Sequence, residues 1–254
     1  MILLVGDTAR PEFRATSDAL ERTGRLAAAP DLAAALSVLV KQAGRDTPVE
    51  AIVVVQARPG EHAAADLDRL RRVAPLAPVV VVLGPWCEGE GRSGSPLPGA
   101  VRAYWHQFPH RLPRELARLC GGAGSTWTLP TTAGDDDRAL ALAAAPLPAA
   151  EGVVVVASPE WEMRAWLAAA FRRRGQAVAE MHPAASTVVR GAVAGVFDAS
   201  ECRGDELEHL RRFAAMLRPA RIVVLMDFPR AEDEEQILAA GASAILGKPL
   251  LLED

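Results

Sequence analysis

The chain has 254 residues, close to what two domains of about 120 residues each would use. Half of the residues are hydrophobic, 24% are charged and the mean hydropathy is +0.11, which excludes a disordered polar chain and predicts buried cores. The formal charge of −4 and the pI near 5.8 provide no overall positive field for a phosphate backbone, so nucleic acid is not an expected partner.

Cysteine usage and apolar segments indicate the compartment. Cys87, Cys120 and Cys202 are odd in number, far apart and in no CxxC spacing, so neither a disulfide framework nor a thiolate metal site is expected. The apolar run 2–5 has no basic leader, and the longest apolar stretch, 139–157, contains two prolines and a glutamate. We therefore expect a cytoplasmic protein with no signal peptide, no membrane span and no membrane partner.

The first half alternates short Val- and Ile-rich strands with helical stretches, which is typical of parallel strands covered on both faces by crossover helices. We predict five strands, near 2–6, 25–29, 50–56, 79–84 and 100–105. The predicted helices lie near 10–23, 31–43, 61–74 and 111–119. This order predicts a doubly wound α/β domain over 1–119.

A glycine-rich motif lies between the last two predicted strands of this half. Gly89, Gly91 and Gly94 satisfy the GxGxxG pattern of dinucleotide-binding loops. That pattern requires a helix beginning at its third glycine, whereas 95–98 contains two prolines and leads into a strand. We therefore expect no nucleotide site, and a flexible loop in place of the fourth helix.

Residues 120–150 are predicted as a linker, because glycine-rich and proline-containing stretches follow the last helix. Three aspartates then open an Ala- and Leu-rich run, and acidic residues complement a helix N-terminus, so a short helix is predicted over 135–145. Trp127 is expected to anchor the two halves to each other.

The second half repeats the alternation and predicts a domain over 151–254. Its strands are predicted near 152–157, 176–181, 193–198, 221–226 and 243–247. Its helices are predicted near 159–174, 184–191, 203–217 and 231–240. The sequence stops after the fifth strand, so this domain is expected to lack its own closing helix. Helix 135–145, or a segment of another copy of the chain, is expected to cover the face left bare.

The two halves align as an internal repeat. Residues 2–5 correspond to 153–156, and the same offset of 151 carries Gly24 onto Gly175. Further along the offset is 142, and three separated landmarks correspond: 53–56 with 195–198, 83–84 with 225–226, and 99–100 with 241–242. The halves are therefore predicted to share one fold.

Spacing at the end of the second half carries a family resemblance. Met226 is followed fifteen residues later by Gly241-Ala242 and, after seven more, by Lys248-Pro249. This stretch resembles the C-terminal part of response-regulator receiver domains, in which Thr or Ser ends the fourth strand and an invariant Lys ends the fifth. Asp198 ends the third strand, at the family's phosphoacceptor position. The resemblance implies two flavodoxin-like, five-stranded parallel domains in tandem.

Receiver chemistry requires a carboxylate that takes up a phosphoryl group and a Mg²⁺ ion held by three carboxylates. In the second half the acidic pair of the family falls on Ala157 and Ser158, so two of the three metal ligands are missing. Met226 replaces the switch hydroxyl and cannot hydrogen-bond a phosphoryl oxygen. Only Asp198 and Lys248 persist, and they are expected to pair with each other.

The first half departs further from the family. Its acidic pair is Gly6-Asp7, its phosphoacceptor position is Gln56, its switch position is Gly84 and its lysine position is His106. An amide side chain cannot become an acyl phosphate, so no phosphorylation is expected here. Both halves are therefore interpreted as pseudo-receivers that hold no metal and no cofactor.

The sequence predicts a non-catalytic tandem pseudo-receiver that acts as an interaction or scaffold module in bacterial signalling. It would work through a protein partner or a homodimer, and it is not expected to be an enzyme. Two alternatives stay open. One is a phosphorylatable response regulator that uses Asp198 with Lys248, and the other is a small-ligand-binding α/β protein that uses the carboxyl ends of its strands.

Overall fold

The structure of the chain, a computed structural model, describes residues 1–42, 48–122, 124–144 and 149–251. Its internal packing divides into two compact units, Met1–Ala144 and Ala145–Asp254. Each unit contains one five-stranded sheet in which every strand pairing is parallel. The predicted class, two doubly wound α/β domains in tandem, is confirmed. In the described ranges no helix is long and apolar enough to cross a membrane.

The first unit is built on five short strands. They are β1 (Ile2–Val5), β2 (Leu26–Ala29), β3 (Ala51–Gln56), β4 (Val79–Leu83) and β5 (Val101–Tyr104). Their order, β2-β1-β3-β4-β5, is that of the flavodoxin-like fold. Every residue of β1, β3 and β4 is buried because helices cover both faces of the sheet. The carboxyl ends of the strands meet at one edge, where such folds bind ligands.

The helices of this unit follow the predicted order. They are α1 (Arg14–Glu21), α2 (Leu32–Gln42), α3 (Ala64–Val73), α4 (Glu90–Ser93) and α5 (Phe108–Gly121). A flexible loop was expected in place of the fourth helix, and the structure has a 3-10 turn and the single turn α4 there. Gly94 ends this turn instead of beginning a helix, which is the reverse of a dinucleotide-binding loop.

Helix α6 (Asp135–Ala144) packs on the first unit. Arg102 of β5 donates to the Asp135 carboxylate, with Nη1 2.9 Å from Oδ2. Arg138 donates from its guanidinium to the carbonyl oxygen of Thr126. These contacts bind the helix to the first unit, and the expectation that it covers the second sheet stays a prediction. The last residue of the helix predicted over 135–145 lies outside the described residues.

The stretch before α6 is also bound to the first unit. The buried Glu115 carboxylate accepts from Ser125 Oγ at 2.6 Å and from the Thr126 backbone N–H at 2.9 Å. Trp127 stacks on Phe108, with ring centroids 6.0 Å apart. Trp127 therefore anchors this segment to the first unit, whereas the sequence suggested an anchor between the two halves. The first unit consequently runs beyond the boundary placed after residue 119.

The second unit has the same sheet. Its strands are β6 (Val153–Ala157), β7 (Ala177–Met181), β8 (Ala192–Asp198), β9 (Arg221–Asp227) and β10 (Ala244–Lys248). Their order, β10-β9-β8-β6-β7, is the arrangement of the first sheet read from the other edge. In the strand register Asp198 lies opposite Leu225, and Lys248 lies opposite Asp227. The register therefore brings the two predicted site residues to the same edge of the sheet.

Three of the four helices predicted for the second unit are present. They are α7 (Trp161–Arg173), α8 (Asp205–Leu217) and α9 (Ala231–Ala239). The helix predicted over 184–191 is wrong, because these residues are not helical. The segment contains Thr187, Val188 and Val189, whose β-branched side chains lose freedom in a helix, and it is almost wholly exposed, so no apolar face stabilises a helix. Residues 252–254, at the end of the predicted second domain, lie outside the described residues.

Candidate functional site

Asp198, at the carboxyl end of β8, is the centre of the candidate site in the second unit. It is only 4% exposed. Lys248 at the end of β10 donates from Nζ to Asp198 Oδ1 at 2.8 Å, and Ser158 after β6 donates from Oγ to Asp198 Oδ2 at 2.6 Å. Three strand ends therefore bring together the two charged residues that persist from the receiver pattern, and both carboxylate oxygens are engaged.

The Lys248 ammonium group is held by further oxygens. It donates to the Ala199 carbonyl oxygen at 3.1 Å and lies 3.5 Å from Asp227 Oδ1. Its side chain is 18% exposed, whereas that of Asp227 is 51% exposed. Lys248 thus makes its shorter ion pair with the buried Asp198 carboxylate and a longer one with the exposed Asp227 carboxylate.

The other predicted positions of this unit place no metal ligand at the site. Ala157 is fully buried and offers only a methyl group, and Met226 is buried beside the strand ends. The Ser158 hydroxyl points to Asp198. The described residues contain no group of three or more His, Cys, Asp or Glu side chains arranged to hold a metal. The donors present therefore do not fit the Mg²⁺ site that a receiver domain requires.

A carboxylate that the sequence reasoning missed occupies the loop after Asp198. Glu206, the second residue of α8, accepts three backbone N–H groups, from Ser200 at 3.2 Å, Glu201 at 3.1 Å and Cys202 at 2.8 Å. Successive backbone N–H groups in a loop form a concavity that binds anions. Here the protein's own carboxylate fills that concavity.

The first unit repeats this arrangement. Glu61 accepts from the backbone N–H groups of Ala57 at 2.7 Å and Arg58 at 3.2 Å, directly after Gln56. The signal available in the sequence was a glutamate within eight residues of the phosphoacceptor position in each half, five after Gln56 and eight after Asp198. Because these two spacings differ, aligning the halves did not pair Glu61 with Glu206.

Gln56 itself is buried in a closed polar cluster. Its Nε2 donates to Glu90 Oε1 at 2.9 Å and lies 3.7 Å from Cys87 Sγ. Gly84, at the switch position, donates its N–H to the Gln56 carbonyl oxygen at 2.8 Å. A Cβ at Gly84 would approach the Ala57 Cα to 3.3 Å, so this position favours glycine. Glu90 was missed because it comes from a turn that the sequence did not predict.

The two remaining predicted positions of the first unit are Asp7 and His106. Asp7 is exposed, and its carboxylate accepts from the Ala9 N–H at 3.1 Å and pairs with Arg10 at 3.4 Å. His106 is buried and stacks on Tyr104. At the acidic position Asp7 therefore makes local polar contacts at the surface, and at the lysine position His106 packs against an aromatic ring.

The cysteine thiols differ sharply in their environment. Burial raises the pKa of Cys87 to about 11 and that of Cys202 to about 12, whereas Cys120 is exposed. The thiolate is the reactive form, so both buried thiols stay protonated and inert near neutral pH.

We expect iodoacetamide at roughly pH 8 to add one group per native chain, on Cys120, because the two buried thiols carry almost no thiolate at that pH. Intact-mass measurement checks this count. The Cys120→Ser variant should take up none, and the unfolded chain should take up three. Rapid modification of native Cys202 would contradict the prediction.

Known proteins offer a likeness of fold only. No protein-family profile and no curated protein matches the chain. Solved structures that match include two described as two-component system response regulator/GGDEF domain proteins, at 14% and 15% identity and TM-scores of 0.33 and 0.35. Each match covers 99% of this chain and 93% of the other.

A third match is the C-terminus of Escherichia coli RcsC, described as containing a linker region and a phosphoreceiver domain. It is 17% identical, with a TM-score of 0.34, and the match covers 100% of this chain and 88% of the other. At these TM-scores the likeness carries no functional argument. The functional argument below therefore rests on the contacts around Asp198 and on the strand order that brings them together.

Proposed function

We propose that the chain is a non-catalytic tandem pseudo-receiver that serves as a protein–protein interaction or scaffold module in bacterial signalling, in the cytoplasm. It acts through a protein partner or as a homodimer, and phosphorylation does not switch it. The observation that carries this proposal is the closed state of Asp198, whose two oxygens bind Lys248 and Ser158 in a site only 4% exposed.

Phosphoryl transfer to Asp198 would meet three obstacles. An attacking oxygen must be free and aligned with the donor, and here each oxygen accepts a short hydrogen bond. The added charge would need Mg²⁺, for which one carboxylate remains of the three that receivers use. The backbone N–H groups next to Asp198 already bind Glu206, so they are not free to bind a phosphoryl oxygen.

One observation favours the alternative of a phosphorylatable receiver. The Lys248 ammonium group lies 2.8 Å from the Asp198 carboxylate, the arrangement expected of a surviving receiver pair. The same contact also serves as an ordinary buried ion pair, and ion pairs of this kind are often structural. The missing carboxylates therefore weigh against the alternative.

Beryllofluoride with Mg²⁺ tests the proposal, because beryllofluoride mimics a phosphoryl group on a carboxylate and needs no kinase. We expect calorimetry of the folded chain to show no saturable binding. The matched control is Asp198→Asn, which keeps the shape of the side chain and removes the acceptor oxygen. Saturable Mg²⁺-dependent binding that Asp198→Asn abolishes would overturn the proposal and make Asp198 a working phosphoacceptor.

A further inference from the structure

The loop after β8, residues 199–204, connects the candidate site to α8. At its start, Lys248 donates from Nζ to the Ala199 carbonyl oxygen at 3.1 Å. The next three N–H groups, those of residues 200–202, all donate to the carboxylate of Glu206. The loop is therefore bound to the end of β10 at its first residue and to one side chain along its middle.

One residue of this loop has a backbone conformation that side chains disfavour. Cys202 has a φ of 53°, in the left-handed region that residues other than glycine rarely adopt. Its N–H makes the shortest of the three bonds to Glu206, at 2.8 Å, and the residue is buried. A strained conformation persists only where the surrounding contacts hold it. The Glu206 carboxylate supplies such a contact at the strained residue itself.

The contact has the form of an anion bound by a loop. Glu206 lies four to six residues after its donors and turns back onto them, with Oε1 accepting from one N–H group and Oε2 from two. Successive backbone N–H groups bind anions in this way, and bonds to an ionised acceptor are roughly twice as strong as neutral ones. Here the anion belongs to the chain, so it is always present at its site.

The first unit has the same arrangement with a different spacing. Glu61 lies three to four residues after its donors, the N–H groups of Ala57 and Arg58. It precedes α3, which begins at Ala64, so complementing the helix dipole does not account for its position. In both units, therefore, a carboxylate of the chain occupies the loop that follows the third strand of the sheet.

We propose that Glu206 is a permanent internal ligand of the loop after β8 and holds this loop in one conformation in place of an external anion. The loop contributes Ser200, Glu201 and Arg203 to an open pocket of about 360 Å³ at the carboxyl edge of the second sheet. Its conformation therefore sets the shape of that edge, which stays the same whether or not a small anion is present. This inference rests on the proposed function and adds a reason why the second unit is not switched.

Amide hydrogen exchange of the full ¹⁵N-labelled chain, measured by NMR, tests the role of Glu206. We expect Glu206→Ala to accelerate exchange at residues 200–202 about tenfold or more, because each amide loses a bond to a charged acceptor. Glu208→Ala is the matched control. It removes an equal charge from the first turn of α8, but Glu208 pairs with Arg211 and not with the loop. It should change these exchange rates by less than about twofold.

Acetate has the atoms that Glu206→Ala removes beyond Cβ, so it tests whether the loop requires an anion. We expect sodium acetate to restore slow exchange at residues 200–202 of this variant in a saturable way. Neutral acetamide, and sodium chloride at the same ionic strength, should not restore it. In the unsubstituted chain, acetate and inorganic phosphate should leave the loop amide shifts unchanged, because Glu206 already fills the concavity.

Glu206→Gln keeps the shape of the side chain and removes its charge, so the same comparison can be made if Glu206→Ala does not fold. We expect a smaller acceleration with it, since the amide oxygen still accepts.

Four results would overturn the inference: unchanged exchange without the Glu206 carboxylate, an equal effect of Glu208→Ala, restoration by acetamide as well as by acetate, or anion-induced loop shifts in the unsubstituted chain. Any of these beside a negative beryllofluoride result refutes the role of Glu206 alone. Beryllofluoride binding by the unsubstituted chain refutes the pseudo-receiver proposal.

Discussion

Replacing Lys248 with methionine should lower the free energy of unfolding of the second unit by about 3 kcal/mol. Methionine preserves most of the side-chain volume, but it leaves the buried Asp198 carboxylate with the Ser158 hydroxyl as its one remaining hydrogen-bond donor among the described residues. Removing one partner of a buried ion pair leaves an uncompensated charge, which costs far more than the pair itself contributes. Denaturant unfolding followed by circular dichroism measures the loss.

A double-mutant cycle isolates the coupling between the two residues. Asp198→Asn alone should cost less than Lys248→Met, because the lysine keeps the Ala199 carbonyl and Asp227 as partners. The double variant Asp198→Asn/Lys248→Met should be more stable than the sum of the single losses predicts, since no buried charge remains. Strictly additive losses would show that Asp198 and Lys248 do not act as a pair in the folded protein.

The convergence of Asp198, Ser158 and Lys248 could be predicted because parallel strands end at one edge of the sheet. Asp198 and Lys248 end β8 and β10, and Ser158 directly follows β6, so the positions of the strand ends bring the three residues to one edge. The spacing from Met226 to Lys248 then fixed which strand ends were involved. In this part of the molecule the sequence pattern and the strand register agree.

The acceptors Glu206, Glu61 and Glu90 could not be predicted in the same way. Glu206 lies at the start of α8, Glu90 at the start of the single turn α4, and Glu61 in the loop before α3. The number of residues that precede these positions differs between the halves. An isolated carboxylate near a helix N-terminus also has an ordinary explanation, since it complements the helix dipole. Only the hydrogen bonds to the loop N–H groups distinguish a filled anion site from a favourable first turn.

The segment 124–144 shows how composition misleads. Glycine and proline suggested a linker, yet one buried carboxylate, Glu115, binds two consecutive residues of this segment. Burial lowers the pKa of Arg138, whose guanidinium group nevertheless reaches the Thr126 carbonyl. A few long-range polar contacts of this kind hold a stretch whose local sequence has no preference for packing.

Replacing Trp127 with alanine should cost the first unit about 3–5 kcal/mol, the usual loss for a buried tryptophan. Trp127 is 4% exposed and stacks on Phe108, so truncation removes both the buried area and the aromatic contact. Trp127→Phe should cost much less, because it keeps a ring over Phe108. Trp86→Ala, at a site 70% exposed, should change stability by less than about 0.5 kcal/mol.

Hydrogen exchange measured by mass spectrometry shows which of the two units Trp127→Ala destabilises. If 124–144 belongs to the fold of the first unit, Trp127→Ala should accelerate exchange in β1–β5 and leave β6–β10 unchanged, because core amides open with the cooperative unit that contains them. Lys248→Met should do the reverse. Faster exchange confined to 124–144 would instead identify that segment as a linker, in keeping with its composition and against the contacts of Glu115 and Trp127.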